Sequence, residues 1–133
     1  MGISRVGRFI VTLATLLFAG LGLELWVAPE QAAHRLGLEV IRAGGVATVR
    51  ADVGGLFVGM AIVCGVAAWT RRRSWIFAAI FLLGAIVFGR SIGWIANRGV
   101  GDDLFELIVE LTVIVALLAA ARGARPAAPI DGC

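Results

Sequence analysis

The chain is 133 residues long, 60% hydrophobic and 16% charged, with a mean hydropathy of +0.97. A soluble domain of this size is about 45–50% apolar because much of its surface faces water, so the excess excludes an ordinary soluble globule and requires lipid as the solvent. The net charge of +3 rests on 12 basic residues, all arginine; no basic face is interleaved with exposed aromatics, so the charge points to membrane orientation and away from nucleic acid.

The chain opens on a basic stretch, Met1–Arg8, containing Arg5 and Arg8, and runs into apolar sequence over Phe9–Ala28. That run exceeds the roughly 7–15 residues of a signal-peptide core. Its only candidate cleavage triplet, Trp26-Val27-Ala28, puts Trp where a small residue is needed. It therefore reads as a retained helix ended by Pro29. The segment Glu30–Val49 is the long connection. Its apolar residues Ala33, Leu36, Val40 and Ile41 recur near helical spacing, which predicts a short helix on the outer membrane surface, stopped at Gly44-Gly45.

Three further apolar runs follow, Ala51–Trp69, Trp75–Ala96 and Leu104–Ala121, joined by Thr70–Arg73 and Asn97–Asp103. Each approaches the ~20 residues that cross ~30 Å of hydrocarbon, and a backbone in lipid must satisfy its own hydrogen bonds, so each is expected to be a helix. The expected fold is all-α: an integral membrane four-helix bundle over residues 1–122, with a short outer interfacial helix between helices one and two. Residues 123–133, with Pro126 and Pro129, are expected to form a disordered cytoplasmic tail.

The arginines set the expected orientation. Arg5, Arg8, Arg71, Arg72, Arg73, Arg122 and Arg125 collect on one side, while Arg35, Arg42 and Arg98 on the other are mixed with Glu30, Glu39, Asp102 and Asp103. The positive-inside rule places both termini and the Arg71–Arg73 turn in the cytoplasm, in a bacterial inner membrane.

Charges within a spanning helix cost roughly 2.5–3.5 kcal/mol each on insertion scales, so each needs a reason. The candidates are Glu24, Arg50, Asp52, Arg90, Glu106 and Glu110, all in the outer half of the bilayer. Arg90 and Glu110 are each about 9–10 Å deep at 1.5 Å per residue, and Glu106 shares a face with Glu110. A guanidinium takes a carboxylate in a two-pronged grip, so Arg90–Glu110 is the first pair expected, within one polar layer fed by all four helices. That layer either fixes helix register, or binds a headgroup or substrate, or carries protons or ions. The third role is disfavoured by inner helix halves that lack ionisable residues.

A two-metal carboxylate site typically adds His from paired Glu-x-x-His motifs. The single histidine, His34, falls in the surface connection, so no metal and no cofactor are expected. Cys64 and Cys133 form neither a metal cluster nor a disulfide framework. Gly55-x-x-x-Gly59 and Gly89-x-x-x-Gly93 are expected to serve helix packing, within the bundle or in a dimer. Trp26, Trp69, Trp75 and Trp94 fall at expected interfaces and serve as anchors.

The segment Arg50-Ala51-Asp52-Val53-Gly54-Gly55-Leu56-Phe57-Val58-Gly59 resembles the Arg-x-x-x-Gly-Gly-x-x-x-Gly stretch of a bacterial family of small four-helix membrane proteins of unknown function, distantly similar to the DoxX-like superfamily. Gly89-Arg90, the Gly99–Asp103 turn and Glu110 also look like features of that family, although the turn here reads Arg98-Gly99-Val100-Gly101-Asp102 and does not keep the family's Asp-Gly order. The resemblance implies an architecture without a settled activity. Two roles are carried forward. One is binding of an amphipathic lipid, isoprenoid or quinone at the polar layer. The other is an interaction subunit, in a homo-oligomer or with another membrane protein. An enzyme or transporter is the weakest reading, for want of a nucleophile–base pair.

Overall fold

The computed structural model describes residues 2–39, 41–96 and 103–122. The expected tail at 123–133 and the turn from Arg98 to Asp102 lie outside the described residues.

Helix α1 spans Arg5–Val27. Ser4, in extended conformation, starts it: its hydroxyl accepts a hydrogen bond from the Gly7 amide at 3.0 Å, satisfying one of the donors a helix start leaves open. The helix stops one residue short of Ala28, because a residue preceding proline is pushed out of the helical region. Pro29 then opens α2, Pro29–Arg35, where a missing amide hydrogen costs nothing.

The end of α2 differs from expectation. Gly37, at φ +70°, reverses the chain: the Leu38 amide donates to the Ala33 carbonyl at 2.9 Å and the Gly37 amide to the His34 carbonyl at 3.1 Å. This is the paired closure of a helix that ends on a left-handed glycine. Gly44-Gly45 does not end a helix; it lies in the first turn of α3, Ala43–Thr48. Helix α3 continues through a wider π-helical turn, Val49–Gly54, into α4, Gly55–Thr70. Together they make one apolar rod, Gly44–Thr70, that begins well before Ala51. Val49 is buried with Leu25, Ala32 and Ala33, and this contact holds the glycine-rich start of the rod in helical form.

At the far end Arg71 adopts a left-handed conformation (φ 55°), its amide donating to the Ala67 carbonyl at 2.9 Å, and the chain reverses into α5, Arg73–Ala96. Helix α6 is Asp103–Arg122. The four helical units form a ring in which α1 packs on α4 and α6, and α5 packs on α4 and α6. The Ile3 amide donates to the Arg71 carbonyl at 3.3 Å, and Gly7 lies against the Ala120 backbone, so the chain start, the α4–α5 turn and the end of α6 share one end of the bundle, called here the arginine end.

The fold is all-α, and four of its helical units are long and apolar enough to cross a membrane. Large apolar side chains cover the outside, among them Phe9, Leu16, Phe81, Phe88, Phe105 and Val115. A surface of that kind in water would be a continuous sticky patch; in hydrocarbon it is solvated, and the chain is a multi-pass membrane protein.

The core is uneven along the axis. The fully buried residues of α5 (Ile76, Ala79, Leu83) and of α6 (Leu117, Ala120, Ala121) all lie in the halves nearest the arginine end. There they meet Val11, Ala14, Cys64 and Ala67, small enough for close packing. Toward the opposite end α1 stays tight against the α3–α4 rod: a Cβ on Gly22 would stand 2.9 Å from the Val58 amide nitrogen, and one on Gly54 would stand 2.7 Å from Trp26. Among the described residues, no glycine in the parts of α5 and α6 toward that end makes a comparable close approach.

The glycines expected to pack helices are not those that do so within the chain. Among the described residues, a Cβ on Gly55, Gly59, Gly89 or Gly93 would meet nothing within 4 Å, whereas Gly7, Gly22 and Gly54 hold the close approaches. Spacing alone placed small residues on a face, but which face turns inward depends on how each helix is rotated in the bundle.

Candidate functional site

Where α5 and α6 leave the core, Arg90 bridges them. It stands six residues before the end of α5, and Glu106 and Glu110 are one turn apart near the start of α6, so antiparallel packing brings all three to one depth. The Arg90 Nη1 lies 2.6 Å from Glu106 Oε2. Its Nη2 lies 3.1 Å from Glu110 Oε1, and Nε donates to the same carboxylate at 3.2 and 3.3 Å. One guanidinium therefore clamps two carboxylates, and the formal charge of the three groups sums to −1. All three side chains are part-buried, at 24%, 21% and 15% exposure, so the charges face each other with limited access to solvent.

These side chains form the polar end of a cavity of ≈310 Å³. Apart from Arg35, its remaining wall is apolar, with Leu17, Leu21, Phe57, Ile86 and Val109 contributing from all four helical units. Phe18 and Phe57, stacked with ring centroids 6.2 Å apart, floor it on the core side. A second apolar groove of ≈370 Å³ runs on from it between α1 and α6, past Leu13 and Ile10 to Ala116 and Leu117, and the two share Leu17 and Val113. Polar at one end and apolar along three helical turns, this seam matches the shape of a small amphipath.

The expected layer of charge from all four helices is only partly assembled. Arg90, Glu110 and Glu106 come together as the spacing suggested. Glu24 does not join them; it forms an ion pair with Arg35 at 2.6 Å. Arg50 and Asp52 are exposed on the π-helical turn and do not line the cavity. Arg50 instead donates from Nε to the Trp26 carbonyl at 3.0 Å, closing α1 onto the rod. The wider π-helical turn changes the register at which these two side chains leave the helix, which the regular 3.6-residue period does not reveal.

Arg35 is the cavity residue that sequence reasoning missed. It lines the cavity beside Leu36, because α2 folds back over the end of the bundle with Ala32 and Ala33 buried beneath it. The available signal was Glu24 and Arg35 on either side of Pro29: a helix break between opposite charges about eleven residues apart lets them meet. Among the described residues no group of three or more His, Cys, Asp or Glu is placed to hold a metal ion. In comparisons with protein-family models, curated proteins and solved structures, nothing matches the chain.

Proposed function

We propose that this protein binds one amphipathic molecule, a lipid, isoprenoid or quinone-like compound, with its polar end on Arg90, Glu106 and Glu110 and its tail in the seam between α1 and α6. The supporting observation is the ≈310 Å³ cavity, apolar in its walls and charged at one end. A register-fixing ion cluster needs no cavity beside it. Arg90 is taken up by the two carboxylates and Arg35 by Glu24, so carboxylate oxygens with acceptor capacity left face the cavity and favour a head that donates hydrogen bonds, a hydroxyl or an amine. In this reading the arginine end and both termini are cytoplasmic in a bacterial inner membrane, and the cavity opens toward the outer leaflet. Membership of the small four-helix, DoxX-like proteins is part of the same proposal and rests on the Arg50–Gly59 segment.

The test is native mass spectrometry on protein purified in mild detergent, comparing the wild type with Leu17→Trp. Leu17 is 45% exposed and lines both parts of the seam, so an indole there fills the track without breaking an ion pair. A retained adduct in the wild type, lost in a variant of unchanged thermal stability, supports the reading. A wild type that carries no adduct, or an adduct that persists in Leu17→Trp, refutes it. The second reading, an interaction subunit, draws on Gly55, Gly59, Gly89 and Gly93, where a Cβ would meet nothing within 4 Å among the described residues, leaving small-residue steps on α4 and α5 for another helix.

A further inference from the structure

The opposite end of the bundle holds an open groove of ≈400 Å³ lined by three arginines, Arg5, Arg8 and Arg71. Arg5 and Arg8 are three residues apart and so share a face of α1. Arg71 comes from the α4–α5 turn and is fixed beside them by the hydrogen bond from the Ile3 amide to its carbonyl. None of these three guanidiniums makes an ion pair or a hydrogen bond among the described residues. Nor is a carboxylate at hand among the described residues. Of the described acidic side chains, Glu110 is the one on α6 nearest this end, and it is twelve residues, or roughly 18 Å of helix, from Arg122. Three like charges lining one groove, with no paired carboxylate among the described residues, repel one another, and an anion bound among them offsets that repulsion.

The remaining wall selects which anion. Phe9 and Ile3 line the same groove, and Phe9 is 65% exposed on the lipid-facing side of α1 where the apolar span begins. Cations therefore sit at the membrane boundary with an apolar strip directly below them. The Ser4 hydroxyl, an acceptor for the Gly7 amide, still has its own proton to donate into the groove. We propose that Arg5, Arg8 and Arg71 form a binding site for the phosphate headgroup of an anionic phospholipid in the adjoining leaflet, its acyl chain lying along Phe9. The site is independent of the amphipath cavity, at the other end of the bundle. Diffuse attraction of a basic membrane face for anionic lipid would involve every arginine there alike. A built site involves these three and spares Arg122, which is at the same end but does not line the groove.

The experiment uses that difference. The full chain is placed in phosphatidylcholine nanodiscs containing graded phosphatidylglycerol, and bound lipid is counted by native mass spectrometry for the wild type, Arg5→Gln, Arg8→Gln, Arg71→Asn and Arg122→Gln. Asn is chosen at position 71 because it tolerates the left-handed backbone there. Wild type is expected to retain one phosphatidylglycerol in preference to phosphatidylcholine. Each groove variant should weaken that retention by about fivefold, and Arg122→Gln by less than about twofold. Equal losses in all four variants would show that only diffuse charge is at work and would overturn the site. A competition arm with millimolar inorganic phosphate separates the source of the anion: failure to displace the lipid supports the lipid headgroup, and ready displacement overturns it. Thermal unfolding, expected to be unchanged because all four side chains are exposed, keeps a folding defect from imitating loss of the site.

Discussion

Removing Arg90 should damage this protein more than removing either of its partners, because of how three charges share one clamp. Arg90→Gln leaves Glu106 and Glu110 one helical turn apart without the guanidinium that pairs with both, and the formal charge of these three positions moves from −1 to −2. Losing one partner of a buried pair costs about 3–5 kcal/mol; the exposures of 15–24% here place the cost near the low end, about 3 kcal/mol. Glu110→Gln removes the carboxylate that takes both Nε and Nη2 and leaves a single-pronged pair to Glu106, for a loss of about 2 kcal/mol. Glu106→Gln leaves a neutral Arg90–Glu110 fork, and its cost should be under about 1 kcal/mol because the amide still accepts from Nη1. The double variant Arg90→Gln/Glu110→Gln leaves only Glu106, restores the wild-type sum of −1, and should fall short of the sum of its singles by more than about 1 kcal/mol. Reversible unfolding in mixed micelles, titrated with a denaturing detergent, measures all four. Equal losses for Arg90→Gln and Glu106→Gln, or strict additivity in the double variant, would refute the shared-clamp account.

Three other outcomes are expected. Gly22→Ala should destabilise by about 1–3 kcal/mol, since its new methyl meets the Val58 backbone at 2.9 Å, whereas Gly89→Ala enters open space and should be neutral or slightly stabilising in the same unfolding assay. Gly37→Ala should cost about 1–2 kcal/mol through its positive φ and loosen α2 from the bundle end, read as faster proteolysis near Leu38. In a Cys133→Ser background, a cysteine at Glu39 should react with an impermeant thiol reagent in intact cells and one at Arg72 should not; both positions are exposed, so the reverse pattern would invert the proposed orientation.

The sequence by itself determined the class, the number of spans and the end of each helix marked by local chemistry. Apolar runs near twenty residues long leave lipid as the only solvent that suits them, and Pro29 constrains its neighbours whatever the rest of the chain does. The Arg90–Glu110 pair was legible for a similar reason: two charges at one depth in antiparallel helices have few other partners. What only the tertiary structure decided depends on rotation about helix axes and on contacts across the chain. Gly44-Gly45 reads as a stop, yet it is helical because Val49 is buried against Leu25 and Ala33; the actual stop, Gly37, has the same local permissiveness and is distinguished only by that packing. Glu24 could face any of several cations until α2 folded Arg35 over the bundle end, and Arg50 and Asp52 left the polar layer when the π-helical turn reset their register. A helical period of 3.6 residues fixes which side chains lie on a common face. It does not fix the direction of that face, and the bundle sets that direction when it packs Gly7, Gly22 and Gly54 inward and leaves room for a Cβ at Gly55, Gly59, Gly89 and Gly93 among the described residues.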